Sequence, residues 1–164
     1  MHRSTRVALL GLLAAGAALT TAAADVARLR PVTTPVYVGG DGVGLLGPEA
    51  VACSAETVAV ADTGNGRVLK YTFAGGTLTP TGNVVIPGVT APTGVQIGPD
   101  GSLFVLDGRT HRIARVGADG ANAGFVDLGD DRASIVRDFR IDRDGNVVVL
   151  DVGAAFVRVF EVDG

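Results

Sequence analysis

The chain has 164 residues, 47% of them hydrophobic and 19% charged, with a formal net charge of −3 and a single cysteine. The acidic balance excludes capture of nucleic acid by charge, which works by neutralising phosphates with Lys and Arg. Cys53 stands alone, so no intrachain disulfide forms, and its apolar setting "EAVACS" predicts a buried, inert thiol.

The first 24 residues read as a secretory signal peptide. His2, Arg3 and Arg6 precede an apolar run from Val7 to Leu19, and Ala22, Ala23 and Ala24 offer a small-x-small cleavage site. The run is shorter than the roughly 20 residues that cross a bilayer. No Cys directly follows it and the two arginines are not adjacent, which points to the general secretion route rather than a lipid anchor or the twin-arginine route. The expected location is periplasmic or extracellular, with membrane contact only through an uncleaved signal. Cleavage removes Arg3 and Arg6 and no acid, leaving 12 basic against 17 acidic residues, a net charge of −5.

Residues 25–46 read as a linker, in which "TPVYVG" (Thr34 to Gly39) is a spare strand placed to close a ring onto a last blade, of the same chain or of a second copy. Gly42, Gly44 and Gly47 then fit the dinucleotide fingerprint G-x-G-x-x-G, with an acid, Asp62, twenty residues after the first glycine. That fingerprint needs a helix opening at its third glycine. Here Pro48 begins a β-rich repeat, so no nucleotide site is read.

From Gly47 the same grammar appears three times: "GPEAVACSAETVAVADTGNGRVLKYTFAGG", "APTGVQIGPDGSLFVLDGRTHRIARVGADG" and "IVRDFRIDRDGNVVVLDVGAAFVRVFEVDG". Each unit holds an apolar stretch (Val51, Val95, Phe139), a turn, a β-rich run ending in Asp, a short gap, a second alternating run and a Gly turn. Asp62, Asp107 and Asp151 fall 45 and 44 residues apart. Two units continue to a fourth β-prone stretch, near Val84 and near Val126. Four short strands per unit with Asp-Gly hairpin signals predict all-β, four-stranded antiparallel propeller blades over residues 47–90, 91–134 and 135–164.

The repeats resemble the NHL-repeat β-propellers. The resemblance rests on the opening Pro92-Thr93-Gly94-Val95, with Pro48-Glu49-Ala50-Val51 as its counterpart, and on the Asp-Gly hairpin followed by aliphatic residues and Asp. It rests also on the steps Asn65-Gly66-Arg67-Val68 and Thr110-His111-Arg112-Ile113. The third repeat departs from both, with Val136-Arg137-Asp138-Phe139 and Ala154-Ala155-Phe156-Val157. The resemblance covers Gly47 to Gly164 and is specific for architecture, since this fold hosts scaffolds, lyases and lactonases alike.

An Asp at one phase of three repeats suits a turn better than a reaction, because a catalytic group is needed once. Asp62, Asp107 and Asp151 are therefore expected to accept N–H groups of the following turn, with Arg67 and Arg112, five residues on, as partners of the first two. The same reasoning makes His111 a blade residue rather than a general base. Asp142, Asp144, Asn146 and Asp151 mimic a calcium loop, but the flanks are strands and the second repeat has Gln96 and Gly98 at the ligand positions, so a hairpin turn is expected. Weak calcium binding there, or at Asp127, Asp130 and Asp131, is the sole cofactor expectation.

After cleavage the chain holds one His (His111), three Glu (Glu49, Glu56, Glu161) and few aromatic residues. That scarcity predicts no catalytic site and favours a non-enzymatic scaffold in the cell envelope that binds a protein partner or small ligand. The alternative is part of a propeller lyase or lactonase whose catalytic blades are missing. Closed rings have four to eight blades, so three repeats predict part of a roughly six-bladed ring. They read as a fragment, favoured by the mid-blade stop and the apolar edge "VRVFEV", or as half of a head-to-tail homodimer.

Overall fold

The computed structural model describes Pro31 and residues 39–129 and 134–162. The expected signal peptide and most of the Thr34 to Gly39 strand lie outside the described residues, as do Asp130 and Asp131. No described helix is long and apolar enough to cross a membrane.

Three antiparallel sheets follow one another in the unit Pro31–Gly164. The first runs β1 (Pro48–Cys53), β2 (Thr57–Asp62), β3 (Arg67–Ala74) and β4 (Thr77–Val84). The second runs β5 (Pro92–Ile97), β6 (Leu103–Asp107), β7 (Ile113–Val116) and β8 (Asn122–Phe125). The third has β9 (Val136–Ile141), β10 (Val147–Asp151) and β11 (Phe156–Phe160). Spatial order follows chain order within each sheet, and the first strands β1, β5 and β9 lie against one another in succession.

The turns explain this regularity. Gly75 and Gly76, at φ 56° and 76°, join Ala74 and Thr77 in the two-residue primed turn whose twist matches its strands. Three hairpins share another device. In 98–102, 117–121 and 142–146 the first N–H bonds the fifth carbonyl, the fourth N–H bonds the first carbonyl, and the fourth residue is a glycine at positive φ. β4 begins seven residues before Val84, earlier than the expected stretch, and accommodates Pro80 because it is an edge strand.

Two apolar cores hold the sheets face to face. Ala59, Ala61 and Val68 of the first sheet meet Val95, Leu103, Val105, Ala114 and Val116 of the second, with Ile86 and Val89 of the crossing segment between them. Phe104, Leu106 and Ile113 of the second sheet then meet Val136, Phe139, Val147 and Val149 of the third. The expected burial of Cys53 is corrected: its thiol is exposed, because it lies on a face of the first sheet that no other sheet covers among the described residues, whereas Ile97 and Ile141 at the same phase are partly buried.

Candidate functional site

The three phase-matched aspartates are all fully buried. Asp62 Oδ1 accepts the Leu46 N–H at 2.7 Å, while Oδ2 accepts Asn65 Nδ2 and Arg67 Nε, both at 2.8 Å. Arg67 reaches on to Asp41 and to the Val43 carbonyl. Asp107 Oδ1 accepts the Thr90 and Ala91 N–H groups, and Oδ2 accepts the N–H and hydroxyl of Thr110. Asp151 Oδ1 accepts the N–H groups of Ile135, Gly153 and Ala154, and Oδ2 accepts the Ser134 hydroxyl and Arg158. Burial pushes the carboxyls of Asp62 and Asp107 up, but their hydrogen bonds outweigh it and hold both below the ordinary value. Asp151 lies well below it, chiefly through Ser134.

Each aspartate thus joins two segments: the turn after the second strand and the stretch that leads into the first strand of the same sheet. The turn also donates directly, from Gly64, Gly108 and Val152 to the carbonyls of Leu46, Ala91 and Ile135. Leu46, Ala91 and Ile135 each precede their aspartate by 16 residues. That constant interval was the sequence signal for the second attachment, and local turn reasoning does not reach so far. The expected partnership of Arg112 with Asp107 is corrected. The Asp107 carboxylate is filled by neutral donors, and the Arg112 guanidinium stacks on Phe125 instead, 3.8 Å from the ring centroid. In the third sheet the cation comes from Arg158, seven residues on, where no arginine was singled out.

Beside each aspartate the first strand carries a β-bulge. Pairing passes from Pro48 to Ala50 opposite Asp62 and Ala61, from Pro92 to Gly94 opposite Asp107 and Leu106, and from Val136 to Asp138 opposite Asp151 and Leu150. The skipped residues are Glu49, Thr93 and Arg137. All three line one cleft of about 650 Å³ along the first strands, together with Gln96, His111, Asp138 and Arg140. Bulges re-aim side chains, and here they bring one residue per sheet to a shared concavity. Sequence reasoning missed the bulges because a skipped pairing leaves no mark in a hydrophobic pattern.

His111 sits in that wall at φ 56°, in the left-handed region that His tolerates better than most residues. Its Nδ1 lies 3.3 Å from the Val136 carbonyl oxygen. A carbonyl only accepts, so Nδ1 carries the hydrogen and Nε2 keeps the lone pair in the neutral ring. Asp138 accepts Arg140 and its neighbour's N–H. Among the described residues Glu49, Gln96 and Arg137 make no side-chain hydrogen bond, so their polar groups are free for a ligand.

Glu49, His111 and Asp138 line the cleft, and among the described residues no three His, Cys, Asp or Glu side chains come together as a cluster. At the turn that mimics a calcium loop, Asp142 accepts the N–H groups of Asp144 and Asn146 and the Asn146 amide, the pattern of an Asx turn. Asp127 likewise accepts the Gly129 N–H.

No family model matches the sequence, and no curated protein matches it. Solved structures do. A candidate 6-phosphogluconolactonase from Bacteroides fragilis is similar with a TM-score of 0.57 and 20% identity over 74% of this chain and 36% of that one. A gluconolactonase from Xanthomonas campestris gives 0.53 and 19%, over 69% and 39%. A streptogramin B lyase gives 0.51 and 16%, over 72% and 41%. The chain therefore spans well under half the length of these neighbours. At such identities the likeness defines the fold: the three sheets are blades of a β-propeller, and this chain supplies part of the ring.

Proposed function

We propose that this protein is an NHL-like propeller that binds a small polar substrate in the first-strand cleft and opens a cyclic ester there. This takes the enzyme reading over the scaffold reading and departs from the former in one respect. The catalytic groups lie in this chain rather than in missing blades, with His111 as a general base where the sequence alone reads a blade residue. The observation that carries it is the convergence of the three bulged residues and His111 on one concavity. The neighbours named for lactonase and lyase activity support the same direction.

The chemistry follows from the groups present. His111 Nε2 takes a proton from water as the oxygen adds to the ester carbonyl, and the Arg137 guanidinium receives the oxyanion. The ring C–O bond then breaks, the imidazolium returns the proton to the departing alkoxide, and the product is a hydroxy acid whose carboxylate pairs with Arg137. The signal-like composition of residues 1–24 supports a periplasmic or extracellular setting for this reaction.

The test is proton release in a pH-stat with gluconolactone and 6-phosphogluconolactone, run on the purified chain and on His111→Asn, which tolerates the same backbone conformation. Hydrolysis above the buffer rate, reduced by about 10²-fold or more in the variant with unchanged circular dichroism, supports the proposal. No hydrolysis of either lactone returns the protein to the scaffold reading.

A further inference from the structure

The repeat phase turns burial into a map of missing neighbours. Val51, Val95 and Phe139 occupy equivalent positions on the faces that look back along the chain. Val95 and Phe139 are 1% and 2% exposed against the preceding sheet, whereas Val51 is 66% exposed. Val68, Ile113 and Val157 are equivalent on the faces that look forward. The first two are 1% and 0% exposed, and Val157 is 68% exposed. Leu150 repeats the contrast with Ala61 and Leu106, which are both buried.

On its second and third strands the forward face of the third sheet is apolar, while its first strand adds the exposed ion pair of Asp138 and Arg140. Where β3 and β7 carry Lys70 and Arg115, β11 carries exposed Val159. A shallow groove lined by Asp138, Phe139, Arg140, Val148, Leu150 and Val157 marks the place.

We infer that the forward face of the third sheet docks onto the backward face of the first sheet of a second copy of this chain, closing a two-copy, six-sheet ring. The occupant follows from continuity. The first-to-second and second-to-third contacts already pair a forward face with a backward face at this phase, and the described residues leave one of each uncovered. Such a contact is heterologous, and two of them related by a twofold axis close a ring whose blade number lies within the four-to-eight range of propellers. The inference stands apart from the lactonase reading and does not need the cleft to be catalytic.

Sedimentation velocity on the purified chain tests it, beside Val157→Asp and Val51→Asp. Both positions are exposed in the single chain, so neither charge disturbs its own core, and circular dichroism checks that each variant stays folded. The expected result is a species of twice the chain mass at tens of micromolar, with each variant sedimenting as a monomer. Mixing the two variants restores a dimer, since one intact forward face and one intact backward face remain between them. A wild-type monomer, a dimer unaffected by both variants, or an open ladder of larger species would overturn the two-copy ring.

Discussion

The first and second sheets solve one structural problem with different chemistry. In both, a buried aspartate ties the turn after the second strand to the stretch leading into the first. Asp62 does so with a single backbone N–H, an amide and a buried guanidinium that goes on to Asp41. Asp107 uses three backbone N–H groups and a hydroxyl, with no cation. What the two share is the pair of segments joined, so the aspartate's position is set by the fold, and the arginine is a local choice of the first sheet. The difference lies in what is stranded when the carboxylate goes.

That difference sets the largest expected effect. Asp62→Ala removes one partner of a buried ion pair, a change that costs about 3–5 kcal/mol in general. Arg67 keeps Asp41 and the Val43 carbonyl, which places this case at the lower end. Asp107→Ala strands neutral donors only, at about 1–3 kcal/mol. Urea unfolding of both variants measures the ordering, and an Asp107→Ala loss equal to or larger than that of Asp62→Ala would break the comparison.

Acid sharpens it. Both carboxyls lie below the ordinary value of 3.8 in the folded chain. A depressed folded-state pKa contributes stability that is complete above the unfolded-state value and is lost as pH falls through it toward the folded one. Stability should therefore decline from about pH 5 downward, the window in which the unfolded carboxylates take up protons first. Asp107→Asn, which cannot titrate, should flatten this decline in urea midpoints between pH 7 and pH 3. An unchanged slope would remove Asp107 from the acid response.

The same contrast shows what could be read from the sequence. The 45- and 44-residue spacing of the aspartates, the Asp-Gly turns and the alternating runs carry the blade pattern, because strand period and turn chemistry are local properties. The pairing of Asp62 with Arg67 was legible for the same reason: Asp62 and Arg67 face each other across the β2–β3 turn. Arg112 was misread because it holds the matching place, opposite which Thr110 and two lead-in N–H groups had already filled the carboxylate. Exposure of Cys53 could not be read, since it depends on whether another sheet covers β1. The cleft was least legible of all. It is assembled from Glu49, Thr93, Arg137 and His111, which are separated in the chain and brought together by three skipped pairings.

The smallest effect tests that misreading directly. With the Arg112 guanidinium stacked on Phe125 and its side chain exposed, Arg112→Ala loses one cation–π contact, about 0.5–1 kcal/mol at an exposed site. The loss should vanish in a Phe125→Leu background, because the ring is the partner, and it should persist unchanged in an Asp107→Asn background, because the carboxylate is not. A double-mutant cycle over the three positions reads both couplings. Coupling of Arg112 to Asp107 rather than to Phe125 would mean that the second sheet uses its arginine as the first does, and the contrast between the two turns would collapse.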